Sequence, residues 1–164
     1  MSRIVETKGN ATLIELEGEA FYAKVFENNL DRNEDYHGPG GAATVQLMVD
    51  SEALKVMGQV KSKLSPKMIS GNDTLPDGMY FNFKRKISHT IPAFGGLPSV
   101  VDAEGKPWDP NELIWNGAKV LLWASIYPTR MGNGTRLEGI KILQNGEKPE
   151  DWDDNAGGGF DLPF

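Results

Sequence analysis

Apolar and polar residues alternate along much of the chain, the pattern of strands that bury one face. Over residues 20–26 the alternation sets Phe21, Ala23 and Val25 against Tyr22, Lys24 and Phe26. Residues 44–49 are rich in β-branched and apolar side chains and read as a second strand. Residues 79–87 place Met79, Phe81, Phe83 and Ile87 on one face, interrupted by Arg85, with Tyr80, Asn82, Lys84 and Lys86 opposite. The longest regular run is 118–127, with Val120, Leu122, Ala124 and Ile126 inward and Lys119, Leu121, Trp123, Ser125 and Tyr127 outward. Asn133-Gly134 is a hairpin signal leading into a strand over 135–143, where a phase shift at Gly139 marks a bulge.

One stretch keeps a helical period instead. Ala53, Leu54, Met57, Val60 and Leu64 recur at helical spacing behind a cap at Asp50 or Ser51, which predicts a helix to about Leu64. Pro66, Gly71-Asn72-Asp73 and Pro76-Asp77-Gly78 end that unit, Val100-Val101 leads into a turn over 102–107, and 111–115 suits a short helical turn. The count is five or six strands, one helix and no internal repeat. That favours a small antiparallel barrel over a parallel α/β sheet. A five-stranded antiparallel barrel with one inserted helix is the oligonucleotide-binding (OB) architecture, so the expected class is mainly β and OB-fold-like.

Composition narrows the chemistry. The 164 residues include no cysteine and only His37 and His89, which excludes disulfides, thiolate chemistry and a histidine-rich metal cluster. No apolar run reaches the length of a membrane span and the N-terminus lacks the apolar core of a signal peptide, so a cytoplasmic protein with no membrane partner is expected. The net charge of −6 argues, taken alone, against a nucleic-acid partner.

Its placement reverses that inference. The last 16 residues hold Glu150, Asp151, Asp153, Asp154 and Asp161 and no base, leaving a body with 18 acids and 17 bases. Residues 55–86 carry seven bases against Asp73 and Asp77. The chain therefore divides into a folded domain over 1–148 and a flexible, disordered acidic tail over 149–164, tethered through Gly157, Gly158 and Gly159. The tail closes on Asp161, Leu162, Pro163 and Phe164, an apolar tip suited to docking into a partner's pocket.

Three outward strand faces share one theme. Tyr22, Lys24 and Phe26; Tyr80, Lys84 and Lys86; and Lys119, Trp123 and Tyr127 interleave rings with cations. Such a face suits single-stranded nucleic acid without regard to sequence: a ring stacks a base for roughly 1–3 kcal/mol, and a lysine neutralises a phosphate. Core or satellite packing is the competing explanation for each ring, and solubility the competing one for each cation. Arg85 should point away from Lys84 and Lys86 and sit at the rim or pair with an acid. Arg130 and Arg136 flank the predicted hairpin as bases at a groove edge would.

Enzyme readings find little support. Gly38-Pro39-Gly40-Gly41 lacks the Gly-Lys-Ser/Thr of a phosphate loop, and no nucleophile signature is present. His37 beside Tyr36 reads as a surface histidine in a Gly/Pro loop.

The residues also carry a resemblance. Val100-Val101-Asp102-Ala103, Gly105-Lys106-Pro107-Trp108, then Ile114, Asn116-Gly117, Val120 and Tyr127-Pro128, resemble single-stranded DNA-binding proteins of bacteriophages, in particular the podophage replication type. The ending resembles the acidic tip of bacterial single-stranded DNA-binding proteins, with Leu162 where those have isoleucine. The resemblance implies an OB fold, no catalysis and no cofactor. It also implies a role coating single-stranded DNA in phage replication, recombination or repair, in the cytoplasm of a bacterial host. The tail would then recruit DNA polymerase and helicase-primase and compete with DNA for the groove. A homo-oligomer stays open. The alternatives are a protein-interaction module using the same aromatic face, and a nuclease or recombination enzyme with scattered carboxylates.

Overall fold

The computed structural model describes residues 1–150 of the chain. The expected docking tip, Asp161 to Phe164, lies outside the described residues. Eight strands form one sheet: β1 (Arg3–Lys8), β2 (Ala11–Lys24), β3 (Ala42–Val49), β4 (Lys67–Ile69), β5 (Gly78–Lys86), β6 (Ser99–Asp102), β7 (Ala118–Thr129) and β8 (Gly132–Gln144). Helices are few: α1 (Glu34–His37), α2 (Ser51–Gln59) and a short 3-10 turn at Pro92–Phe94.

The five long strands run round a barrel in the order β5-β3-β2-β7-β8, all antiparallel. Three short strands extend it, so the expected class holds while the count of five strands is too low. β1 folds back on the first half of β2, β4 pairs the start of β5, and β6 lies parallel to β8. That parallel pair departs from a wholly antiparallel barrel. The core is the inward set of these strands, including Ile14, Leu16, Val45, Leu47, Phe81, Phe83, Val120, Leu122, Leu137 and Ile140, each at most 2% exposed.

Where β5 meets β8 the ladder is replaced by Arg85. Its guanidinium and Nε donate to the carbonyls of Ala93, Gly95, Gly96 and Leu137 and pair with Glu138 at 2.8 Å. The expected acid partner is therefore present, and it sits in a bulge. The register shifts between Trp123 and Ala124 of β7, making Glu138 the extra residue beside Gly139. A Cβ on Gly139 would lie 2.7 Å from the Ser99 carbonyl oxygen and 3.0 Å from the Trp123 ring, so only glycine fits under β6.

Three local expectations are corrected. The helix α2 is capped by Asp50, whose side chain accepts from Ala53 N–H, but it stops at Gln59 rather than near Leu64. Val60 ends it and Lys61 turns left-handed (φ 53°), so Ser62 and Lys63 can meet Asn133 and Thr135 of β8. The β7–β8 turn is at Arg130-Met131, because Asn133 and Gly134 are already paired with Pro128 and Tyr127. Residues 111–115 make no helical turn: Asn111 ends a turn, Glu112 is a bend, and 113–115 have no regular structure.

Candidate nucleic-acid interface

The outward faces of β2, β3 and β5 are stacked in cross-strand rows. Lys24 pairs with Thr44, which pairs with Lys84, and the next row is Phe21, Gln46 and Asn82. Two lysines thus flank a threonine, and an amide pair lies alongside. Period two alone would put Phe21 inward with Ala23. Instead Tyr22 is left-handed (φ 51°) and the register slips between Phe21 and Lys24, so Phe21 faces outward under the 70–76 segment while Ala23 and Val25 return to the core. Asn116 holds this bulge: its Oδ1 accepts from Tyr22 N–H at 2.8 Å, and Gly117 N–H donates to the Ala20 carbonyl.

These strands floor an open groove of about 930 Å³. Lys24, Lys84, Lys86 and Tyr22 line it as the sequence suggested, joined by Tyr127 from β7. Gly134 makes room for that last ring; a Cβ there would lie 2.7 Å from it. Sequence reasoning missed Lys63, set at the rim by its N–H bond to the Asn133 carbonyl, and Tyr36, which is 70% exposed. Lys84 Nζ lies 4.9 Å from the Tyr36 ring centroid, a cation–π contact. Tyr36 beside the basic strand was not legible locally, since α1 reaches it only through the fold.

Among the described residues none of the four lysines is in an ion pair. Lost hydration in the groove wall pushes the Lys84 ammonium below the ordinary lysine value, and the charge of Lys86 adds to the shift. Among the described residues one acid lines the groove, Asp31, and it is engaged by His37 at 2.9 Å. Burial acts to raise its carboxyl, but hydrogen bonds from His37 and Asn33 N–H and the charges of His37 and Lys24 outweigh it and hold it below 3.8. His37 itself is buried, not the surface histidine expected.

The remaining sequence candidates fall elsewhere. Phe26 is 5% exposed in the main core and Tyr80 is 3% exposed in a cluster with Phe21 and Leu75, so neither ring offers a face to a base. The Tyr80 hydroxyl donates to the Pro76 carbonyl at 2.6 Å, and burial, then the nearby Glu19, raises its pKa. Trp123 is tied to Glu15 through its indole N–H, and Lys119 pairs across the strands with Glu19 in a cleft walled by acids. Arg136 stacks on Phe94 and Tyr127 and its Nε donates to Glu138, which leaves it little free charge. Arg130 is exposed on the β7–β8 turn, outside the groove lining.

No protein-family model and no curated protein sequence matches the chain. Solved structures do. The fold is similar to gp2.5, a single-stranded DNA-binding protein encoded by bacteriophage T7, at 17% identity over 87% of this chain and 98% of that one, with a TM-score of 0.58. It is also similar to the single-stranded DNA-binding protein of bacteriophage Enc34, at 14% identity over 93% and 96% of the two chains, with a TM-score of 0.53. The chain thus has the fold of phage single-stranded DNA-binding proteins, the likeness its own residues pointed to.

Proposed function

We propose that the protein binds single-stranded DNA without regard to sequence, along the groove floored by β2, β3 and β5. The observation that carries this reading is the convergence of Lys24, Lys63, Lys84 and Lys86 with Tyr22, Tyr36 and Tyr127 on one open surface, where the one acid among the described residues is already engaged. The lysines neutralise phosphates and the rings stack bases, neither of which depends on base identity. The fold shared with two phage single-stranded DNA-binding proteins supports the same reading. No step of it requires catalysis or a cofactor.

The protein then coats DNA exposed during phage replication, recombination or repair. Residues 149–164 regulate that binding. A tail with five acids in the same chain as a lysine groove competes with phosphates at the effective concentration that a covalent tether sets. Its tip, Asp161-Leu162-Pro163-Phe164, docks polymerase or helicase-primase when DNA displaces it. The test is titration of labelled oligo-dT followed by anisotropy, with duplex DNA as comparison. Tighter binding to the single strand, and tighter still after removal of 149–164, is expected. Absence of binding by the truncated chain at low salt would leave the protein-interaction module as the better account, and shortening of the oligonucleotide with magnesium would favour a nuclease.

A further inference from the structure

The lysine groove does not end at its own floor. Gln46 and Asn82, a cross-strand pair on β3 and β5, together with Ser65, also line a second cleft of about 580 Å³ beneath β4. That cleft adds Lys67, Met68 and Asn72, and among the described residues no aspartate or glutamate lines it. Met68 is 64% exposed, an apolar side chain free to pack on a base. At the junction, Gln46 Oε1 is buried and, among the described residues, has no hydrogen-bond partner. Of the acids on the 70–78 segment, Asp77 accepts from Gly71 N–H and lines a different cleft, and Asp73 lines neither. Across the sheet toward Lys119 the ground is the reverse: Glu17, Glu19, Asp50 and Asp77 wall the cleft there. A polyanion leaving the lysine groove therefore meets a route free of carboxylates on one side and a barrier on the other.

We infer that the single strand continues from the lysine groove across the Gln46–Asn82 pair into the cleft beneath β4, where Lys67 takes a phosphate and Met68 packs against a base. The inference rests on the proposed single-stranded DNA binding and adds a second subsite and a direction to it. Lys67 pairs with Tyr80, six residues along β5 from Lys86, which separates the two ends of the path by roughly 20 Å at strand rise.

The test uses the full chain and oligo-dT of graded length, from about 4 to 16 nucleotides, the range of sites that OB folds occupy. Titrations at about 0.15 M salt confine the effect of a charge to about 8 Å. The wild type is expected to gain affinity with length beyond the shortest binders. Lys67→Glu, at an exposed position, should leave the shortest oligonucleotides within about twofold and remove about five- to tenfold of affinity from the longer ones. Met68→Ser should do the same more weakly, without altering the salt dependence. Equal loss at every length, or no loss at any, would overturn the second subsite while leaving the groove itself in place. Failure of the wild type to bind any length would overturn the groove reading, and the subsite with it.

Discussion

Lys84 concentrates the chemistry of the groove. Its ammonium is partly stripped of water, repelled by Lys86 and faced by the Tyr36 ring rather than by an acid. A cation held this way gains most when a phosphate arrives, and its lowered pKa gives binding a signature. Below its folded pKa Lys84 is charged and the phosphate contact is made; as pH rises through that lowered value the contact is lost sooner than an ordinary lysine would lose it. Affinity for oligo-dT should therefore start to fall at a lower alkaline pH in the wild type than in Lys84→Arg, which stays charged. Tyr36→Ala should weaken binding by roughly 1–3 kcal/mol in an anisotropy titration while leaving the melting temperature nearly unchanged, since the ring is exposed. The strand faces bearing Lys24, Lys84, Lys86 and Tyr127 were legible in the sequence because alternation assigns a side. Period two could not say which outward rings stay open. Tyr80 alternates correctly with Lys84, yet the 70–76 segment folds over it, and Phe26 lies past the end of β2 in the core.

Two devices set the geometry between strands. The first is the bulge at Tyr22, held by Asn116. Asn116→Ala removes the Asn116 acceptor for Tyr22 N–H, and the left-handed residue then loses that one restraint. Weaker DNA binding is expected, by about three- to tenfold, with stability reduced by about 1 kcal/mol in denaturant unfolding. Asn116 belongs to the motif that carried the resemblance to phage proteins, and its visible role is to place a groove residue. The second device is Arg85, which closes β5 onto β8. Arg85→Met takes one of two arginines from Glu138, which keeps Arg136, and removes the donor to the carbonyls of Ala93, Gly95, Gly96 and Leu137, so a loss of about 3–5 kcal/mol is expected in the same unfolding measurement. The acid partner of Arg85 could be anticipated from strand parity, whereas its identity could not, because Glu138 is far away in sequence and reaches Arg85 from the β8 bulge. The β1–β2 hairpin was readable in principle: Ile14 and Leu16 alternate with Glu15 and Glu17 after the Gly9-Asn10 turn. The parallel pairing of β6 has no such local signal, since it depends on glycine at 139 in a distant strand.

Taken whole, the molecule separates its charges. A net charge of −6 coexists with a lysine groove because nine of the 23 acids lie in the tail and in the cleft around Lys119, and among the described residues only Asp31 lines the groove. The sign of the total is uninformative about the partner; the distribution points to one face. The most direct test of that claim compares salt dependence between faces. Oligo-dT titrations over a range of salt would be made with the wild type, with the pair Lys84→Ala and Lys86→Ala, and with the pair Lys55→Ala and Lys119→Ala, which removes equal charge away from the groove. Each phosphate neutralised on a single strand releases counterions and contributes about 0.7 to the slope of log affinity against log salt, so the groove pair should flatten it by about 1.4 and the distant pair should leave it unchanged. Equal flattening by both pairs, or none by the groove pair, would contradict binding along β2, β3 and β5.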